Sequence, residues 1–455
     1  MLKEKINLFC NKFANIKTWM VALIFTVVGF ALYANTLRAP FIWDDQLLIV
    51  NNTFIQDWKY FPQYFTQHLF SGSGAAGDYW RPLQTINFAL IYSFFGLNPF
   101  FYHLANILWH IAAAILAYVV LKKIFKHKQA AFFTSLIFLI HPLQTEAVTY
   151  ISGIADSMMA TLILLSFLFF LKYEKTDKKT FLFTSLLFFI LSFLAKERAF
   201  LLFPAILLYF LTLSPKKYFL GWKNRLFVVS LFAIPAVLYF IMRKFLLPIS
   251  MNNVSVSSFG GFAATTKIFL EFTGTYIQLL VFPFNLFMQR AVSLGSFADM
   301  QILIGLSFVI FSVAIFIFSL RKERVWAFCI GWFWIFFIFS FLSFMRMGFL
   351  MEHWLYLPIL GLLMPFFMFI LNKKCLLKNI RLETIGYALI FLAIILLSIR
   401  TIIRNKDWQD PIIFYEKNIN SGSHSAQIYN NLGMEYLNQK EYKKADRKST
   451  RLNSS

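Results

Sequence analysis

The chain has 455 residues, of which 59% are hydrophobic, 20% aromatic and only 14% charged, with a mean hydropathy of +0.64; soluble globular domains are excluded, and the recurring apolar runs describe a polytopic helical membrane protein. The formal charge of +22 comes from Lys and Arg gathered in short segments between apolar runs, the pattern of cytoplasmic loops, so no nucleic-acid partner is expected. Cys10, Cys329 and Cys375 show no metal-like spacing and none falls in a large external loop, which leaves no support for a disulfide framework or a zinc site.

Taken in chain order, Lys3, Lys5, Lys12 and Lys17 place residues 1–18 in the cytoplasm, ahead of a first span over about 19–34 that reads as a retained anchor. Residues 35–98 form a long external segment. A second span, about 99–121, returns to Lys122, Lys123, Lys126 and Lys128; a third ends at His141-Pro142 and a fourth covers about 154–171. Spans near 181–195 and 199–213 form a hairpin tipped by Lys196-Glu197-Arg198, and a seventh follows at about 226–241. Segment 267–284 is read as interfacial or re-entrant on the outer side, because that places Arg321/Lys322/Arg324 and Lys373/Lys374/Lys378/Arg381 inside. Spans near 300–320, 326–344, 355–371 and 383–399 bring the count to about eleven, an odd number that sends the C-terminus outside.

The transmembrane domain therefore covers 19–406. Beyond Trp408 the composition turns polar, and Tyr429, Leu432, Gly433, Tyr436 and Ala445 fall at positions of a tetratricopeptide repeat, so 407–445 reads as the start of an α-helical repeat region. One repeat cannot bury its own apolar face. Residues 446–455 break the pattern and resemble translated adapter sequence, so the repeat region is expected to be truncated here.

Acids and bases that are costly at membrane depth gather in the outer layer of this topology. Asp44 and Asp45 lie just beyond the first span, in Phe41-Ile42-Trp43-Asp44-Asp45, and Arg81 follows in the same loop. His103, Asn106 and His110 form one helical stripe; hydrogen bonding between helices is the favoured role, with a metal the lesser alternative because no acid accompanies them. His141, Glu146 and Asp156 flank the third and fourth spans, and Glu352, His353 and Tyr356 precede the tenth. Lys196 and Arg198 stand on the outer face against the charge rule, which points to a bound anion such as a lipid phosphate. Arg81 offers a further cation for such an anion, or a partner for Asp44, Asp45 or Asp78.

Several motifs recur together: Phe-Ile-Trp-Asp-Asp-x5-Asn at 41–51, Trp-Arg-Pro-Leu at 80–83, His-Leu-Ala-Asn-Ile-Leu-Trp-His at 103–110 and His-Pro-Leu-Gln-Thr-Glu-Ala-Val at 141–148. Ala-Lys-Glu at 195–197 and Glu-His-Trp-Leu-Tyr-Leu-Pro at 352–358 complete the set. In type, order and spacing the chain resembles the transmembrane-and-tetratricopeptide-repeat proteins, bacterial relatives of the eukaryotic O-mannosyltransferases, in the glycosyltransferase-C superfamily. The resemblance implies an all-α, multi-pass enzyme of the bacterial inner membrane that moves a mannose-like sugar from a polyprenyl-phosphate carrier to an acceptor hydroxyl, on protein Ser or Thr, with inversion. An acid of the first external loop would be the catalytic base, which maps onto Asp44 or Asp45. Arg81, His141, Glu146, Asp156, Lys196, Glu197, Arg198, Glu352, His353 and Tyr356 match motif positions and would line the substrate site, with Lys196 and Arg198 on the carrier phosphate. The lipid-linked sugar is the implied donor; no cofactor is implied, and a divalent metal is the less favoured option. The implied partners are the bilayer, an acceptor polypeptide or other hydroxyl acceptor, and a protein bound by the repeats on the periplasmic side.

One position departs from the family. Relatives carry Arg-x-Asp after Ile-Ser-Gly, whereas Ile154 stands in Ile151-Ser152-Gly153-Ile154-Ala155-Asp156, so a cation is missing there. Two other classes compete. A membrane-anchored repeat scaffold would leave the Asp pair unexplained, and a lipid-linked-sugar flippase would show midplane charges and repeated halves, which this sequence lacks.

Overall fold

A computed structural model describes residues 16–214, 221–246, 261–291, 298–371, 380–423 and 425–445. The N-terminal lysines up to Lys12, the Lys373–Lys378 cluster and the 446–455 tail lie outside the described residues. Fifteen principal helices are used below: α1 (Thr18–Tyr33), α2 (Pro82–Phe95), α3 (Pro99–Phe125), α4 (Lys128–Ile140), α5 (Ile154–Thr176), α6 (Lys179–Ala195), α7 (Leu202–Thr212) and α8 (Trp222–Leu246). They continue with α9 (Gly261–Val281), α10 (Met300–Arg321), α11 (Arg324–Met347), α12 (Pro358–Ile370), α13 (Ile380–Lys406), α14 (Pro411–Asn420) and α15 (Ala426–Asn438).

Among the described residues seven helices are long and apolar enough to cross a membrane, or eight if α4 and its bent continuation Pro142–Val148 count as one span. The protein is thus a multi-pass, all-α membrane protein. A helix stands at each of the eleven expected spans, but α4, α6, α7 and α12 are short, with 13, 17, 11 and 13 residues. Local signals set the boundaries. In α3, Asn98 caps by accepting the Phe100 N–H at 3.1 Å and Pro99 occupies the first turn. The helix stops at Lys126, which takes the left-handed conformation (φ +56°), with Lys122 and Lys123 beside its free carbonyls.

Helix α5 is the centre of the bundle, with 83% of its apolar window buried against 22% for α10 and 11% for α13, which face lipid. Aromatic stacking knits the core: Phe167 lies 6.0 Å from Trp332, and Phe333 stacks on Phe337 at 4.8 Å. Lys122 Nζ donates to Thr18 Oγ1 at 2.7 Å, and Phe125 meets Phe328 at 6.1 Å. These contacts bring the basic ends of α1, α3 and α11 to one side, as the charge rule requires.

Segment 267–284 lies mostly within α9, which is not among the helices long and apolar enough to cross a membrane but is unbroken over 21 residues and packs antiparallel to α10 and along α11. The reason is a glycine crossing: a Cβ on Gly274 would sit 1.7 Å from Gln301 O, and one on Gly305 1.9 Å from Leu270 O. Only backbones without side chains come this close. The strand of chain that leads into α9 falls outside the described residues.

The polar segment after α13 folds back onto the end of the bundle that carries the Asp pair. Asp410 caps α14 through the N–H groups of Ile412 and Ile413, at 2.8 and 3.0 Å, and Pro411 opens the helix. A Cβ on Gly433 of α15 would lie 4.0 Å from Ala445 O.

Candidate active site

The first loop leaves α1 and turns sharply at Trp43, which adopts φ +62°. An aromatic residue in this region carries roughly 1–3 kcal/mol of strain. The turn sends the two neighbouring carboxylates to different places. Asp45 is buried and points inward, accepting from Ile42 N at 3.0 Å and from Ser152 N at 2.9 Å, with the Ser152 hydroxyl donating as well. Burial pushes its carboxyl up to about 7 despite these donors. Asp44 is only half-buried, and no backbone donor holds it in the same way. The Tyr150 hydroxyl faces it, and Arg81 acts on it from farther off. Burial raises the Asp44 carboxyl to about 6, against the opposing pull of those two groups.

The cations gather opposite. Arg81 reaches Glu197 with both arms, Nε to Oε2 and Nη2 to Oε1, each at 3.1 Å, and its guanidinium lies over Tyr79. Its partner is therefore Glu197 and not Asp44, Asp45 or Asp78. Burial alone would raise the Glu197 carboxyl, but the Arg81 and Lys196 charges outweigh it and hold it well below its ordinary value. Asp78 is instead engaged by Arg346 and by Arg243, whose Nη2 also donates to the Asp78 carbonyl at 2.8 Å. Lys196 Nζ donates to Asp156 Oδ2 at 2.7 Å; burial pushes its ammonium down to about 8 against the pull of that carboxylate.

Arg198 is different. Its guanidinium donates to Ser340 Oγ at 3.3 Å and Ser343 Oγ at 3.1 Å, and packs 4.9 Å above the Trp354 ring. No carboxylate lies within ion-pair distance of it among the described residues. A buried cation held by neutral hydroxyls leaves its charge available to an anion.

His353 bridges the acids: its backbone N–H donates to Glu146 Oε2 at 3.0 Å, its Nδ1 lies 3.2 Å from Glu146 Oε1, and its Nε2 is 3.8 Å from Asp156 Oδ2. Glu352, fully buried, lies 3.6 Å from Arg404, which also holds Asp407 at 3.0 Å. Burial is the larger influence on Glu352 and raises its carboxyl to about 7 against Arg404.

Two residues placed in the substrate site by sequence are committed elsewhere. Tyr356 donates to His110 Nδ1 at 2.6 Å, while His110 Nε2 donates to Leu139 O at 3.0 Å, inside the packed core. His141 accepts from Leu143 N at 3.2 Å and donates to Leu280 O at 3.0 Å, fastening α9 to the end of α4. Both side chains have spent their polar atoms on the fold. The stripe on α3 serves the fold too. His103 donates to Ala39 O at 3.1 Å, and Asn106 donates to the carbonyls of Val148, Tyr150 and Ile151 at 2.9–3.1 Å. No group of three metal-ligating side chains occurs among the described residues. Ile154 is wholly buried in the apolar core.

Sequence reasoning missed Tyr150, Ser152, Ser340, Ser343 and Arg404. Ser152 sits within a quoted motif, but nothing in its spacing pointed to Asp45, 107 residues away.

Residues 82–243 match the family model described as dolichyl-phosphate-mannose-protein mannosyltransferase. Over 142 residues, 30% of this chain and 15% of the relative, the sequence is 37% identical to mouse protein O-mannosyl-transferase TMTC1. A longer alignment, 25% identical over 480 residues, joins 96% of this chain to 51% of mouse protein O-mannosyl-transferase TMTC3. The chain thus spans about half the length of that relative or less of the others of this group in mouse. Among solved structures, ArnT from Cupriavidus metallidurans bound to undecaprenyl phosphate superposes with a TM-score of 0.47 at 12% identity, over 87% of this chain and 77% of that one. The Archaeoglobus fulgidus oligosaccharyltransferase AglB, in complex with an inhibitory peptide and a dolichol-phosphate, gives 0.46 at 9% identity, over 91% and 59%.

Proposed function

We propose that this chain, a relative of the protein O-mannosyl-transferases and of the transmembrane-and-tetratricopeptide-repeat family, is a glycosyltransferase-C enzyme that transfers a mannose-like sugar from a polyprenyl phosphate to a hydroxyl acceptor. The membrane is the bacterial inner membrane, with the site on its outer side. The observation that carries the reading is the asymmetry of the Asp pair. Asp45 has its oxygens occupied by Ile42 and Ser152, so it locks the turn. Asp44 stands free of backbone donors, with a carboxyl raised to about 6, so it is ionised at neutral pH and a stronger base than an ordinary aspartate.

In this reaction the acceptor hydroxyl gives its proton to Asp44 as its oxygen attacks the anomeric carbon. The bond from that carbon to the phosphate oxygen breaks, the configuration inverts, and the carrier leaves as its phosphate. Arg198 is the cation that receives the growing phosphate charge, since Lys196 and Arg81 are already matched by Asp156 and Glu197. Glu146, Asp156 and His353 shape the sugar side of the pocket, and 407–445 begins a tetratricopeptide region that presents acceptor polypeptide.

The test is sugar transfer in reconstituted membranes with labelled polyprenyl-phosphate sugars. Asp44→Asn should lower kcat by about 10²–10⁴ while donor binding persists; Arg198→Ala should instead weaken donor binding. Transfer that survives Asp44→Asn would sink the mechanism, and no transfer with any donor would favour the scaffold reading.

A further inference from the structure

The loop tip that carries Asp44 packs only partly on the bundle core, through Phe41, Leu48 and Ile49. Ile42, Trp43 and Tyr150 belong to a separate apolar cluster, completed by Met288 and by Trp408, Phe414 and Tyr415 of the C-terminal segment. Trp43 packs on Tyr415 with ring centroids 6.0 Å apart, and the Tyr415 hydroxyl meets the Trp43 backbone. Tyr150, whose hydroxyl faces Asp44, stacks on Trp408 at 5.6 Å and 22°, and Trp408 packs on Phe414 at 4.5 Å. The strained φ of Trp43 persists only if its surroundings over-determine it, and beside the Asp45 contacts to Ile42 and Ser152 those surroundings include aromatics from beyond the last span.

The segment is itself clasped to the bundle. Asn405 donates to Leu32 O at 2.9 Å and accepts from Thr149 Oγ1 at 2.9 Å. Gln409 donates to Asn35 O at 2.6 Å, and Asp407 joins Lys417 to Arg404. Asn418 accepts from Met288 N at 2.6 Å. The aromatic contacts therefore sit on a rigid mount.

We propose that residues 407–436 are a working part of the active site, in which Trp408 and Tyr415 act as positioning residues that hold the Trp43–Asp44 turn and Tyr150 in reactive geometry. This rests on the reading of Asp44 as the base. Neither aromatic contacts Arg81, Lys196 or Arg198 in the interactions described above. The groups that face Asp44 are Asp45, Tyr150 and Arg81, so a displaced Tyr150 changes both the aim of the carboxylate and its access to water.

The test uses the full chain in nanodiscs with Trp408→Ala and Tyr415→Ala, and Trp408→Phe as the conservative rescue. The alanine variants should lose about 10–100-fold in kcat, as for a misplacement of about 1 Å, and keep donor affinity within about twofold. The acidic limb of their pH profile should shift from its wild-type position, and hydrogen exchange at 44–48 should quicken. Trp408→Phe should restore most of the rate. If the alanine variants do not fold, Tyr415→Leu keeps the apolar volume while removing the ring stack and the hydroxyl, and reads the same limb. An unchanged kcat, limb and exchange in an active protein overturns the proposal. If the wild type transfers nothing, the exchange measurement decides separately: faster exchange upholds the docking while the base assignment falls, and unchanged exchange removes both.

Discussion

Neighbouring carboxylates in one turn differ here because of what each can accept. Asp45 takes backbone and hydroxyl donors from Ile42 and Ser152, whereas Asp44 is faced by the Tyr150 hydroxyl and takes no such backbone donors. The raised Asp44 carboxyl sets a pH dependence whose sign is fixed. The base acts only when ionised, so transfer should be full above neutrality and decline as pH falls through about 6. A rate profile taken from pH 4.5 to 8.5 checks this, and a flat profile down to pH 5 would contradict it. The pairing of acids with cations was partly legible in the sequence, since charged residues in a chain this apolar cannot be idle. Which cation kept its charge was not. Arg81–Glu197 and Asp45–Ser152 join residues more than a hundred positions apart, and Ser340, Ser343 and Tyr150 are residue types that carry no signal among so many aromatics and hydroxyls.

At the scale of elements, hydropathy located the spans because burial in lipid demands continuous apolar helix. It could not say which neighbours α9 packs along. Its Lys267 and Glu271 lower the apolar score, whereas its placement depends on Gly274 and Gly305, two small residues whose meeting is a tertiary event. Gly274→Ala should force α9 and α10 apart, because the new methyl would lie 1.7 Å from Gln301 O and the obstacle is backbone. The cost expected for overpacking is about 1–3 kcal/mol or more. Thermal unfolding in detergent should show it, and an unchanged midpoint would mean that the crossing is looser than described.

For the whole molecule, the structure joins the first loop and the C-terminal segment at one end of the bundle, opposite the basic loops. Membrane-impermeant maleimide should therefore label Ser73→Cys and Ser421→Cys from the same side, and Asp177→Cys only after the membrane is opened. Labelling of Ser73→Cys and Ser421→Cys from opposite sides would break the fold assignment.

The short helices α4, α7 and α12 carry a consequence of their own. With 13, 11 and 13 residues, each rises only about 16–20 Å, against a hydrocarbon layer of about 30 Å. Segments bearing Glu146, Arg198, Glu352 and His353 adjoin the ends of these helices. The floor of the pocket consequently lies in a well sunk beneath the headgroup plane, where the bilayer must thin or the protein must wall it off. Under the proposed function, a carrier lipid would enter sideways with its phosphate at the depth of Arg198, and the acceptor would reach down from the aqueous side to meet it.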